Sequence, residues 1–338
     1  MRRSMPDRTR IQLIVIGLGA CVVFAPVGCK SERERAPGGF QQQPTDTHRT
    51  DLLLGEWSNS RDLLVARSDQ DVVGDAASAA CRSSGIFVVD LDGTAIRMER
   101  PWLTCGFVWE LTLAALSPIG SVLAFVSKMD PVTLRLMDLE TGSVSEAATR
   151  CRAPIEGVSW NSSATLIALV ERCGPHDPGG SLEVVHVRTS QQAEAIAADV
   201  EGTPSWANGD QAIVVSRAIG DGRFQVVYFD RAGHALLTID DARNPAVQPE
   251  SEDVVFVRIV NGEPHLFRAG LSSTDRSEPR NLGVIPSCVR RARAAGAEIA
   301  PEMRWTRNGQ ILLIQSSSCV LGAVLGETLG PAKEILAP

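Results

Sequence analysis

Past residue 50 the chain alternates short apolar runs with turns, and one pattern recurs six times. Its clearest copy is Leu116-Ser117-Pro118-Ile119-Gly120-Ser121, followed by the apolar run from Val122 to Ser127, then Leu134-Arg135-Leu136-Met137-Asp138 and Gly142. Pro118 and Gly120 set a tight turn, and the apolar runs have strand length and end in Gly or Asp. The unit therefore reads as strand, turn, strand, hairpin, strand, turn. A Trp or apolar anchor precedes each first turn: Trp57, Leu116, Trp160, Trp206, Val247 and Trp305, spaced 41 to 59 residues apart. Second strands follow at Leu63 to Ala66, Leu166 to Val170, Ala212 to Val215, Val254 to Val257 and Ile311 to Ile314. They are almost continuously apolar, as befits a strand covered on both faces. Third strands are expected at Ile86 to Asp90, Leu182 to Val185, Phe224 to Phe229 and His265 to Phe267, and Asn208-Gly209 and Asn308-Gly309 are strong hairpin turns at equivalent places.

A unit of this kind cannot bury both faces alone, so copies pack side by side around an axis and the ring leaves no long edge. The spacing lies around the period of four-stranded blades. An all-β fold is predicted, a six-bladed β-propeller over residues 51–338. The competing architecture is a large β-sandwich, or two in tandem, which seldom repeats a Trp-anchored unit.

The copy at 116–142 resembles the TolB-type propeller repeat, whose pattern is roughly Ser-Pro-Asp-Gly, an apolar strand with Ala-Phe, and a later strand ending in Asp with a Gly. Ser117, Pro118, Gly120, Ala124, Phe125, Asp138 and Gly142 match it, while Ile119 stands where the turn Asp is usual. The resemblance implies a six-bladed propeller of the sort found in bacterial envelope proteins.

The N-terminus suggests the route there. Arg2, Arg3, Arg8 and Arg10 precede an apolar run of 14 residues, Ile11 to Phe24, which is a signal-peptide shape and shorter than the roughly 20 residues a spanning helix needs. Residues 1–28 are read as a lipoprotein-type signal peptide, with lipid on Cys29 where the apolar run stops, or alternatively on Cys21 after Leu18-Gly19-Ala20. An uncleaved N-terminal anchor is the remaining alternative. Residues 29–50 carry charge, Pro, Gly and Gln with little to bury, and read as a disordered tether.

Without residues 1–28 the chain holds 29 basic and 39 acidic side chains. That acidic balance disfavours nucleic acid, so membrane attachment is left to the lipid. Apart from the lipidation candidates Cys21 and Cys29, the chain holds six cysteines: Cys81, Cys105, Cys151, Cys173, Cys288 and Cys319. An even number in an exported protein predicts disulfides. All six fall in second-to-third-strand loops or between blades, hence at one rim, and the nearest pairs are Cys81 with Cys105, Cys151 with Cys173, and Cys288 with Cys319.

Candidate chemistry is sparse. Cys173 with His176 has metal-ligand spacing, but a disulfide cysteine beside a turn is the reading adopted, and neither metal nor cofactor is expected. No Gly-x-Ser-x-Gly elbow, phosphate loop or His-Glu-x-x-His occurs. Asn161-Ser162-Ser163 matches a glycosylation acceptor and is read as a turn. A single Tyr and 5% aromatic residues leave few stacking platforms for sugars or bases. Arg290, Arg291 and Arg293 form one basic cluster. The expected function is that of a lipid-anchored, monomeric, non-catalytic scaffold that binds an envelope protein or cell-wall component. The cysteine rim is expected to do the binding, with the three arginines at its edge. The alternative is a lyase or hydrolase that uses the central pocket.

Overall fold

The computed structural model describes residues 49–336, apart from 58–61, 70–83, 91–93, 175–178, 188–192, 221, 250, 252, 272–277, 287–300, 316–319, 326–327 and 331–332. The first sheet joins β1 (Arg49–Trp57), β2 (Asp62–Asp69), β3 (Gly85–Val89) and β4 (Ala95–Arg97). A short helix, α1 (Cys105–Glu110), follows; Thr104 caps it by accepting the Phe107 N–H at 3.2 Å. The apolar pattern carries no helical period there, and sequence reading gives no sign of α1. The second sheet is β5 (Leu111–Leu116), β6 (Val122–Ser127), β7 (Asp130–Asp138) and β8 (Val144–Glu146).

A seven-stranded sheet comes next: β9 (Ile155–Trp160), β10 (Leu166–Glu171), β11 (Gly180–His186), β12 (Glu194–Ala207), β13 (Ala212–Ala218), β14 (Phe224–Asp230) and β15 (Ala235–Asp240). β12 is long because its first part pairs with β11 and its second part with β13. It is the outer strand of one unit and the inner strand of the next. The last two sheets are β16 (Arg243–Val247), β17 (Asp253–Val260), β18 (Glu263–Gly270) and β19 (Arg280–Val284), then β20 (Glu302–Trp305), β21 (Ile311–Gln315), β22 (Val320–Val324) and β23 (Lys333–Leu336). Each strand pairs antiparallel with its sequence neighbour within a sheet, and with β12 counted twice the strands fall into four-stranded units.

The units bury their faces against each other. Among the described residues one apolar cluster lies at each junction, for example Leu113, Ala124 and Leu136 of β5–β7 against Val158, Ile167 and Val185 of β9–β11. Leu53, Leu63 and Val65 pack on Leu313, Val320 and Ile335, so the first sheet meets the last. The Leu53 N–H also donates to Gln315 Oε1 at 3.1 Å across that seam. The second strands carry the core: Leu63 to Val65, Ile167 to Val170 and Val254 to Val257 are at most 1% exposed. Each such side chain contributes about 1.5–3 kcal/mol by leaving water.

The recurring residues have recurring tasks. Ser117 Oγ accepts the Val122 N–H at 3.1 Å, Asn161 Oδ1 accepts Thr165 and Leu166 N–H at 2.9 and 2.8 Å, and Thr306 Oγ1 accepts the Ile311 N–H at 3.1 Å. Each closes the first turn of its unit from the position after the anchor. Asn161 is thus a buried turn residue. The Asp at the end of third strands closes the next turn. Asp138 Oδ1 takes N–H groups from Glu140 and Thr141, and Asp230 Oδ1 takes those of Ala232 and His234. These hydrogen bonds, those of Thr141 and His234 foremost, hold both carboxyls below the usual Asp range.

The tryptophan anchors clasp one unit to the preceding one. Trp160 Nε1 donates to Ala115 O at 2.9 Å, Trp206 Nε1 to Ser159 O at 3.1 Å and Trp305 Nε1 to Ala246 O at 3.2 Å. The acceptor is in each case the residue just before the neighbouring unit's own anchor. Trp160, Leu116 and Val247 are buried, whereas Trp206 and Trp305 are only half-buried. All three indoles border the same cavity, so an anchor position in the repeat does not by itself mean a buried ring. Inner strands also crowd each other at Gly157, where an added Cβ would lie 2.3 Å from Gly202 O and 2.6 Å from Thr203 Cα.

Candidate functional site

Antiparallel order sorts the loops onto two rims. First-to-second-strand turns share one rim. Second-to-third-strand loops and the connections between units share the other. The turn rim opens into a cavity of about 880 Å³ around the axis, lined by residues of β1, β5, β9, β12, β16 and β20 and by the turns that follow the last five of these strands. Trp160, Trp206, Trp305, Pro118, Pro204 and Met303 give it an apolar wall, and Ile119, 61% exposed, stands at its mouth.

Glu56, Asp210 and Arg304 of this wall are engaged in the ring, while the buried Ser159 hydroxyl has no hydrogen-bond partner among the described residues. Glu56 of β1 accepts the Arg307 N–H at 2.6 Å, which ties the first strand to the turn after β20. Asp210 accepts Ser162 N–H and O–H and Asn161 Nδ2 at 3.0, 2.6 and 3.1 Å. Arg304 reaches Leu54 O and Ala114 O, each at 3.4 Å, and stands 3.6 Å from Glu302. Among the described residues no histidine lines the cavity. Among the described histidines, His186 neighbours Glu194, His234 bonds Asp230 and His265 bonds Asn281, all on outer parts of the sheets. A further charged group sits on the inner strands: Glu156 of β9 pairs with Arg172 at 2.6 Å, and Glu201 of β12 has its carboxyl raised by burial and by Glu156, opposed by Arg243 and Arg172.

The opposite rim carries the described cysteines. Cys151 and Cys173 form a disulfide between the connection that precedes β9 and the loop that follows β10. Cys105, at the start of α1, is also disulfide-bonded. Cys21, Cys29, Cys81, Cys288, Cys319, His176, Arg290, Arg291 and Arg293 lie outside the described residues. Two glutamates that sequence reading passed over lie beneath the Cys151–Cys173 bridge. Glu171 ends β10 and Glu183 lies within β11, and both are fully buried. Glu171 accepts the Cys151 and Ala153 N–H groups at 3.0 and 2.7 Å. Glu183 accepts the Arg150 N–H at 3.3 Å; burial, then the Glu171 carboxylate, push its carboxyl up from 4.5 to about 7. The available signal was an acidic residue inside a strand otherwise apolar on both faces.

Comparison with known proteins adds the fold. No protein-family model matches the chain, and no curated protein sequence does. Solved structures do. A putative TolB from Agrobacterium tumefaciens superposes with a TM-score of 0.51 at 12% identity, over 66% of this chain and 79% of that one. An oligogalacturonate lyase from Vibrio parahaemolyticus gives 0.51 at 14%, over 87% and 80%. The fold is a TolB-like β-propeller. Hydrazine synthase of Kuenenia stuttgartiensis is similar too, with a TM-score of 0.51 at 10% identity over 85% of this chain and 80% of that one. At such identities the likeness is one of propeller architecture alone. No helix among the described residues is long and apolar enough to cross a membrane.

Proposed function

We propose that the chain is an exported scaffold, held at the membrane by lipid on Cys29 or Cys21, that captures an envelope protein or a cell-wall component in the axial cavity of its six-bladed propeller. The observation that carries this reading is the division of labour in the cavity wall. Indole N–H groups and the carboxylates of Glu56 and Asp210 bond to neighbouring units, which leaves ring faces, prolines and Ile119 as the surface offered to a ligand. Such a wall suits recognition by packing more than proton transfer. Loop tips on a rigid ring are well placed for it. The rim favoured here is opposite the one expected from the cysteines.

The enzymatic alternative rests on a different observation, the Glu156–Glu201 pair with Arg172 and Arg243, since a carboxyl raised by burial beside charged partners is a candidate acid. Fold does not decide between the two, because propellers serve both ends. The test uses the tethered protein as bait for envelope proteins and cell-wall fragments. Ile119→Glu should abolish capture, while alanines at Arg290, Arg291 and Arg293 should leave it intact. Loss of capture only in the arginine variant would return the binding face to the cysteine rim. Turnover of a cell-wall fragment that disappears in Glu201→Gln would establish the enzyme.

A further inference from the structure

At the cysteine rim four chemically active side chains meet that the binding reading leaves unused. Cys151, Cys173, Glu171 and Glu183 bring two sulfurs and two carboxylates within 4.8 Å of one another. Register explains the meeting. Glu171 pairs with Ser181 across β10 and β11, so Glu183, two residues on, projects from the same face. Glu183 Oε1 stands 3.9 Å from Cys151 Sγ and 3.8 Å from Cys173 Sγ. Disulfide sulfurs carry no proton, so neither contact is a hydrogen bond, and that oxygen points at the bridge without a donor there. The Glu171 oxygens accept backbone N–H groups but each keeps a second lone pair, and such outer bonds are what orient a metal ligand. Two adjacent buried carboxylates are costly, and at Glu183 burial and the Glu171 charge outweigh the opposing charge of Arg150.

We propose that, once the Cys151–Cys173 bond is reduced, these four residues form a two-thiolate, two-carboxylate site for a zinc-type divalent cation. Tetrahedral zinc, with Zn–S about 2.3 Å and Zn–O about 2.1 Å, sets sulfur and oxygen about 3.6 Å apart, close to the 3.9 and 3.8 Å from Glu183 Oε1 to the two sulfurs, and the sulfurs themselves part once their bond is broken. The bridge takes two electrons and two protons from a dithiol reductant, which leaves as its own disulfide. Metal binding then releases the two thiol protons to solvent. The disulfide closes the site and reduction opens it.

The experiment titrates Co²⁺ into the full chain before and after reduction by a dithiol and removal of the reductant, reads the thiolate-to-cobalt absorption, and maps by mass spectrometry which cysteines Zn²⁺ shields from alkylation. The reduced protein should bind one equivalent at this site, with Cys151 and Cys173 both shielded, and the oxidised protein should show no thiolate band. Glu183→Gln, which keeps shape and an acceptor oxygen, should weaken binding about tenfold or more. Alkylation of Cys151 and Cys173 unaffected by Zn²⁺ in the reduced wild-type chain overturns the proposal, and this reading does not depend on any variant folding. An unchanged affinity in a folded Glu183→Gln variant overturns the carboxylate ligation.

Discussion

Trp160→Ala is the sharpest perturbation of the ring. The indole is 9% exposed, fills the junction between β5–β7 and β9–β11, and donates to Ala115 O at 2.9 Å across it. Truncating a buried Trp costs about 3–5 kcal/mol, and the carbonyl left without its donor adds about 1 kcal/mol. Trp206 makes the equivalent bond but is half-buried at the cavity wall, so Trp206→Ala should cost about half as much, ~2 kcal/mol. Trp160→Phe keeps most of the packing and loses only the clasp, which predicts roughly 1–2 kcal/mol. Thermal and urea unfolding of the three variants reads the order directly, and the first should lower the midpoint by roughly 10 °C in a chain of this size. Equal losses for Trp160→Ala and Trp206→Ala, or a neutral Trp160→Ala, would refute the reasoning that burial sets the cost and the bond adds to it.

Gly157→Ala should destabilise by about 1–3 kcal/mol or more in the same unfolding assay, since the new methyl meets the Gly202 and Thr203 backbone and not a flexible side chain; a neutral result would show that β9 and β12 can part. Removing the bridge as Cys151→Ala with Cys173→Ala should cost about 3 kcal/mol for a closure of 22 residues, seen as a lower urea midpoint of the oxidised protein. Glu183 gives a pH signature. Its folded pKa of about 7 lies above the unfolded 4.5, so the folded state holds the extra proton between the two, and stability present below pH 4.5 is lost as pH rises to about 7. The loss attributable to this group is ~3 kcal/mol, and Glu201, also raised, adds in the same direction. Glu183→Gln should flatten the slope between pH 5 and 7, and an unchanged slope counts against the buried-acid reading.

Much of the fold was legible because the repeat is written in residues whose tasks are local. Ser117, Asn161 and Thr306 close turns, Asp138 and Asp230 close the next ones, and the apolar second strands report burial on both faces. Other features depend on partners far along the chain. β12 continues from one unit into the next through an irregularity between Glu201 and Ser205, where Gly202 and Pro204 in the sequence signal a turn and so hide the continuity. Trp206 and Trp305 share a sequence role and a cavity wall with Trp160 but differ from it in burial, a difference the repeat does not encode. Glu171 and Glu183 are close only through the β10–β11 register and the fold of the connection before β9. Sequence placed Cys151 and Cys173 as a nearest pair, but nothing in spacing shows two acids beneath their bond.

Site-specific photocrosslinking shows whether partners are taken at the turn rim. One chain carries the photoreactive residue at Ile119, 61% exposed at the cavity mouth, and a second carries it at Met129, 81% exposed in the loop between β6 and β7 on the opposite rim. Irradiated in its own envelope, the Ile119 chain should give a discrete adduct and the Met129 chain none. An adduct from Met129 alone would contradict the claim.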